Sequence, residues 1–277
     1  MSTHVSHSET ELQRRRLVAE EAAAAAAAVH IRYRVAGIEY EMKNGNRRDL
    51  VTRADTEGEA AARAIIEAAF PGEAIVGEED GKSREEQAAF LAGRCWLIDP
   101  LDGTFNFVHG FPDFSATVAF VEQGQPLSAA TFALVFDEMF SAARGQGATL
   151  NGAPISISKR RGLAQAVVNV TIARSGQEDE TSLAKLARVR QTALFLKTFG
   201  GTAIILAYVA CGRFDLFYAA ENMRTGPWDM AAGALLIEEA GGYVCRADGS
   251  PFALPATSMA AAADPAMLDE LRELIGA

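Results

Sequence analysis

Basic residues are in short supply in this chain. Its 277 residues carry 26 Lys and Arg against 36 Asp and Glu, a net charge of −10. That balance excludes a nucleic-acid face as the main business, because phosphate backbones need clustered cations. The two basic triplets, Arg14–Arg16 and Lys159–Arg161, are short, far apart and read as solvated surface. Cysteine is scarcer: Cys95, Cys211 and Cys245 share no close spacing. That leaves neither a thiolate zinc site nor a disulfide framework, and fits a reducing cytoplasm. No apolar run is long enough for a bilayer, and the polar start MSTHVSHSETELQRRR lacks a signal-peptide core. The alanine run Ala22–Ala28, flanked by Glu20, Glu21 and His30, reads as helix interior.

What is present suits a globular enzyme: 49% apolar and 8% aromatic residues, in a chain long enough for one large domain or two sharing a core. Patterning predicts a long helix over 9–42 broken at Gly45, then a helix over 56–69 stopped by Phe70-Pro71-Gly72. "EAIVGEED" reads as a short strand ending in acids. Strands are expected at 114–122, 128–136 and 139–144, then a pair across the Asn151-Gly152 turn. From about residue 160 the pattern alternates. Strands at 166–172, 192–198, 214–219 and 242–246 are separated by helices at 179–189, 202–212 and 228–240. A strand near 257–262 and a helix over 264–275 complete it. The expected class is α+β in the first half and α/β in the second, packed as layers.

Carboxylates recur where apolar segments end: Asp49 and Asp55 in "DLVTRAD", Glu78 and Glu79 in "VGEED", Asp99 and Asp102 in "IDPLDGT", and Asp229 in "GPWDMAAG". Taken singly, each is explained by a turn or a helix cap; Asp55 and Asp229 both precede helices. Taken together, they end segments that must converge on one sheet. Two acids three residues apart at the end of a buried strand repel unless a cation or donors hold them. Oxygen-only donors suit a hard cation such as Mg²⁺. Pro100 fixes the backbone between the acids, so that the Leu101 carbonyl can turn inward, and Gly103 permits close backbone approach.

The four stretches "DLVTRAD", "GEED", "WLIDPLDGTFNFVHGFP" and "GPWDMAAGALLIEEAGG", in this order, resemble the successive motifs of the inositol monophosphatase family, from about residue 15 onward. That likeness implies a five-layer αβαβα sandwich of the inositol monophosphatase / fructose-1,6-bisphosphatase type, with halves near 1–150 and 151–277. It implies Mg²⁺ as cofactor, two ions and a weaker third. Glu78, Asp99 and the Leu101 carbonyl would hold the first, Asp99, Asp102 and Asp229 the second, and the third would lie near Glu78. Asp55 and Thr104 would orient the attacking water, and the Gly103 and Thr104 amides would grip the phosphate. Gly201, Thr202, Ala203 and Glu221 would face the alcohol.

The chain departs from the family pattern in three places. Glu221 stands one residue further from Trp228 than in animal members, Thr198 replaces a frequent Arg, and the Lys43–Asp49 loop is one residue longer. The family likeness gives His109 a structural place beyond the metal loop. It implies a small phosphorylated substrate, with myo-inositol 1-phosphate first and histidinol phosphate and fructose 1,6-bisphosphate as rivals. "DGTFNF" disfavours a nucleotide. Lithium sensitivity and a homodimer are further implications. A contrasting expectation is a protein-binding role in an RNA-polymerase-associated complex, as some bacterial relatives have.

Overall fold

The computed structural model describes residues 8–36, 38–46, 50–172, 180–198, 200–220 and 225–276. The first helix, α1 (Glu9–Ala36), ends six residues before the expected boundary, and Tyr40–Met42 forms strand β1 instead. Ile38 and Tyr40 are residue types that favour a pleated surface, and β1 pairs antiparallel with β2 (Leu50–Thr52). Helix α2 (Arg53–Ala69) starts earlier than expected, because Thr52 and Asp55 form a capping box. After β3 (Ile75–Gly77) comes a 3₁₀ turn, Glu78–Asp80, and then α3 (Arg84–Leu91). The patterning above did not anticipate α3; its signal was the Ser83–Glu86 capping box.

Strand β4 (Arg94–Asp102) leads through the short helix α4 (Thr104–Val108) to a meander of β5 (Ser115–Glu122), β6 (Gln125–Ala133), β7 (Glu138–Ala143), β8 (Ala148–Leu150) and β9 (Ala153–Pro154). These form a seven-stranded sheet in the order β3-β4-β5-β6-β7-β8-β9, antiparallel except for the parallel β3–β4 pair. The remaining elements are β10 (Val167–Thr171), α5 (Glu180–Thr192), β11 (Phe195–Lys197), α6 (Thr202–Ala210), β12 (Leu216–Ala219), α7 (Pro227–Glu239), β13 (Tyr243–Cys245), β14 (Met259–Ala262) and α8 (Pro265–Ile275). They give a second, five-stranded sheet in the order β11-β10-β12-β14-β13.

Helices α1 and α2 cover one face of the large sheet, α6 and α7 lie between the sheets, and α5 with α8 covers the outer face of the small one. The result is the five-layer αβαβα sandwich. β4 shows why its sequence is apolar without alternation: Trp96 and Ile98 enter the core under α1, while Cys95 and Leu97 enter the core shared with α6 and α7. Burying both faces removes the need for a polar side, and full burial of a side chain the size of Ile98 is worth about 2 kcal/mol. The alanine run has a packing reason. Ala19, Ala22, Ala23, Ala26 and Ala27 are fully buried, so α1 can lie close to α2 and the sheet.

The basic triplets are not simple surface. Arg15 is 2% exposed, bonded to Glu11 and Glu73, and lies 3.7 Å over the Phe120 ring. Arg160 bonds both oxygens of the buried Asp215 at 2.9 and 2.8 Å. Of these partners only Asp215 is a fully buried acid, and a buried carboxylate stays charged where a cation pairs with it.

Candidate active site

Three of the expected acids come together at the carboxyl end of β4. Oxygens of Asp99, Asp102 and Asp229 all lie within 4.8 Å of one another. Asp99 and Asp102 are buried, and Asp229 keeps part of its residue surface in solvent while its carboxylate turns inward. A bulge between Asp99 and Asp102 interrupts the β4–β5 ladder, so two acids three residues apart both face the junction. Asp229 arrives from the first turn of α7, where it also accepts from the Gly226 amide. Cap and cluster member are therefore one residue, and the two readings of Asp229 do not compete.

Without a counter-charge these acids resist ionisation. Burial, then the charges of Glu78, Asp229 and Asp102, holds Asp99 well above the ordinary carboxylate range. Burial followed by the Asp102 charge does the same to Asp229. Burial pushes Asp102 up to about 7, opposed by amide bonds from α6. Asp99 Oδ1 accepts from the Leu101 amide at 3.0 Å, but Asp99 Oδ2 is buried with no donor facing it. An orphaned carboxylate oxygen among like charges, with oxygen donors only, fits a hard divalent cation.

Glu78 reaches this group electrostatically from the 3₁₀ turn but is paired elsewhere: Lys43 Nζ lies 2.8 Å from Glu78 and 2.7 Å from Glu79. Glu79 is pushed up to about 7, by burial first and then by Glu78. Lys43 is separated from these acids by 35 and 36 positions, so no local pattern announced the contact.

Asp55 is fully buried at the start of α2. Its Oδ2 accepts from the Thr52 amide at 2.8 Å and the Thr52 hydroxyl at 2.7 Å, and its Oδ1 faces the Thr104 hydroxyl at 2.9 Å. Burial pushes Asp55 up to about 6, against these bonds. The single Thr104 hydroxyl proton has a second acceptor, the Leu101 carbonyl at 3.0 Å. Thr52 was absent from the expected site residues; the T-x-x-D spacing of a capping box was its signal. Gly103 sits at φ +87°, and a side chain there would come within 2.9 Å of the Asp113 carbonyl.

The residues expected to face the alcohol lie against Asp102. Its Oδ1 accepts from Thr202 N at 3.0 Å, and its Oδ2 from Ala203 N at 2.9 Å and Ile204 N at 3.4 Å. The start of α6 thus caps itself on an acid from the other sheet. Gly201 makes the approach possible, since a Cβ there would stand 2.1 Å from Asp102 Oδ2. Beside it is a cavity of about 120 Å³ whose lining includes Asn169, Thr171, Thr198, Thr202 and Phe217. Glu221 and Asp49 lie outside the described residues. His109 is exposed, its ring 4.3 Å from that of Phe105.

Three layers of helix separated by two sheets, with acids gathered where β4 meets α2, α6 and α7, define the inositol monophosphatase / fructose-1,6-bisphosphatase type of sandwich. The model of the inositol monophosphatase family matches residues 11–276. The chain is 37% identical over 212 residues to the inositol-1-monophosphatase of Rhizobium meliloti, covering 76% of this chain and 77% of that one. It is 40% identical over 209 residues to the Nus factor SuhB of Pseudomonas aeruginosa, covering 73% and 74%. The structure of an inositol monophosphatase from Anabaena superposes with a TM-score of 0.80 at 31% identity, covering 96% of both chains. The chain belongs to the inositol monophosphatase family, a family of phosphoric monoester hydrolases.

Proposed function

We propose that this protein hydrolyses a small polyol phosphate, with myo-inositol 1-phosphate the first candidate, and that its cofactor is Mg²⁺, two ions with a weaker third. The observation that carries the reading is the group Asp99, Asp102 and Asp229, within 4.8 Å of one another and beside the Asp55–Thr104 hydrogen bond. Glu78, Asp99 and the Leu101 carbonyl would hold one ion; Asp99, Asp102 and Asp229 the other. The bound ions would offset charge on the attacking and leaving oxygens.

The chain's own part is positional. Thr104 Oγ1 donates a hydrogen bond to Asp55 Oδ1, which leaves a lone pair on Oγ1 to accept from, and orient, a water. Asp55 is held by Thr52 in one rotamer, so the direction of that lone pair is set before substrate arrives. The Gly103 and Thr104 amides would meet the phosphate. In the reaction the water oxygen forms a bond to phosphorus while the ester P–O bond breaks. The alcohol oxygen gains a proton and the water loses one. Gly201, Thr202, Ala203 and Glu221 remain our candidates on the alcohol side. The hydroxyl and amide lining of the adjacent cavity supports a neutral polyol there over a second phosphate. The halves 1–150 and 151–277 would meet at this site, the first supplying Glu78, Asp99 and Asp102 and the second Asp229.

The reading extends to a homodimer, lithium sensitivity and a cytoplasmic location. Among the described residues no helix is long and apolar enough to cross a membrane. A second reading, a protein-binding role in an RNA-polymerase-associated complex, draws support from the likeness to a Nus factor SuhB.

The test is phosphate release from myo-inositol 1-phosphate, histidinol phosphate, fructose 1,6-bisphosphate and 3′-phosphoadenosine 5′-phosphate, with and without Mg²⁺, and with Asp102→Asn as blank. Metal-dependent preference for the inositol ester is expected. Preference for another ester would move the substrate assignment. No turnover of any ester would favour the binding role, which Asp102→Asn should leave intact.

A further inference from the structure

One buried polar side chain beside the metal loop has no part in the chemistry above. His30, on α1, is fully buried, and its Nε2 lies 2.8 Å from the Pro100 carbonyl. A carbonyl only accepts, so Nε2 carries the proton; Nδ1 is buried without a partner and is left as a bare lone pair. The ring sits between Phe107 and Phe114, at centroid distances of 5.6 and 5.8 Å, so its orientation is restricted. Burial lowers its pKa to about 4, which keeps the ring neutral.

Pro100 needs this partner. It lies in the bulge between Asp99 and Asp102, where β4 loses its register with β5. Its surroundings are tight: a side chain at Gly58 of α2 would reach within 3.3 Å of Pro100 Cβ and 3.6 Å of the Ala26 carbonyl. In a trans peptide the carbonyl and the following amide point in opposite directions. A Pro100 carbonyl turned toward His30 therefore sends the Leu101 amide the other way, where it donates to Asp99 Oδ1 at 3.0 Å. With Oδ1 held, the donorless Oδ2 remains for the acidic cluster.

We propose that His30 is a positioning residue for Asp99, acting through the Pro100–Leu101 peptide. One hydrogen bond from α1 sets the plane of that peptide, and the plane sets the carboxylate rotamer. The inference rests on the reading of the acidic cluster as a metal centre, and it adds a residue from a helix that contributes none of the proposed ligands. Remote partners of this kind typically change metal affinity by 10- to 100-fold.

The test is Mn²⁺ binding to the full-length, metal-free protein, read by calorimetry or by the loss of free-ion resonance signal. Three variants are compared. His30→Leu fills the space without a donor, and His30→Gln restores an N–H near the position of Nε2. Val18→Ala lowers stability from the same helix but lies in the core away from Pro100. We expect His30→Leu to bind about ten-fold or more weakly, His30→Gln to recover most of the loss, and Val18→Ala to bind as the parent does. Equal binding by His30→Leu and the parent would overturn the positioning role while leaving the metal centre standing. Absence of Mn²⁺ binding in the parent would overturn the metal centre and this inference with it. If His30→Leu does not fold, imidazole ¹⁵N spectra of the parent decide the matter. A neutral ring protonated at Nε2 is required, and a proton on Nδ1 would refute the proposal.

Discussion

Gly201→Ala is the most demanding test of the site geometry. The added methyl would stand 2.1 Å from Asp102 Oδ2 and 2.5 Å from its carboxyl carbon. Ordinary contact begins more than an ångström further out, so either Asp102 swings away or the start of α6 retreats. Both movements break the bonds from Thr202 N and Ala203 N, at 3.0 and 2.9 Å. Hydrogen bonds to a charged group each contribute about 1.5–3 kcal/mol net of exchange with water, and the lower figure suits a carboxylate that ionises reluctantly. A net loss of about 3 kcal/mol follows, or roughly 6–12 °C in Tm for a chain of this size. Melts in metal-free buffer isolate this structural term. Activity should fall more steeply, since a displacement of about 1 Å in a reacting constellation costs about 100-fold. Phosphate release by the loaded enzyme reads that second effect. A Gly201→Ala protein that melts and turns over like its parent would refute the argument that α6 and Asp102 are locked together.

His30 also carries a pH dependence. Burial lowers its pKa to about 4 in the fold against an ordinary value of 6.5, so the unfolded chain binds more protons between these limits. The His30 contribution is complete above pH 6.5 and is lost as pH falls toward 4. It amounts to about 3 kcal/mol, and urea titrations from pH 7 to 4 should show the slope lessened in His30→Leu. Thr104→Val keeps the shape but removes the hydroxyl that faces Asp55. Activity should drop about 100-fold, with Tm within a few degrees, and retention of full turnover would remove Thr104 from the mechanism. Mg²⁺ at 100 times its Kd should stabilise the parent by about 2.7 kcal/mol. Asp102→Asn, compared in the same scanning calorimetry, should show a much smaller response.

Electrostatics explain why such a centre is tolerated in a stable fold. Asp99, Asp102 and Asp229 ionise reluctantly together, yet each has a structural attachment: the Leu101 amide, the α6 amides and the Gly226 amide. The backbone holds these carboxylates in place before any ion arrives. Among the described residues Asp99 Oδ2 is the buried carboxylate oxygen left with no donor, and it is where the demand for a cation is sharpest.

Much of this architecture is local, and local chemistry is legible. The Thr52–Asp55 box, Pro227 at the start of α7 and the Asn151-Gly152 turn depend on neighbours within four residues, so their spacing is informative by itself. The apolar run before Asp99 and Asp102 reads as a buried strand ending in two acids, and the fold buries both of its faces. The end of α1 is less legible, because Val29–Val35 mixes residue types that suit helix and strand alike, and the pairing of β1 with β2 across a loop made the choice.

The sequence by itself determined the chemistry available: oxygen donors on short turns, no thiolate cluster, and a negative surface. Tertiary structure decided which donors meet. Only the packing of α6 against β4 places the Thr202 and Ala203 amides on Asp102, across about a hundred positions. Only the fit of α1 over the bulge brings His30 to Pro100, 70 positions away. Only the approach of β1 brings Lys43 to Glu78 and Glu79. Contacts at such separations are set by how layers stack, and the stacking follows from the total apolar surface each element must bury, which no single segment states.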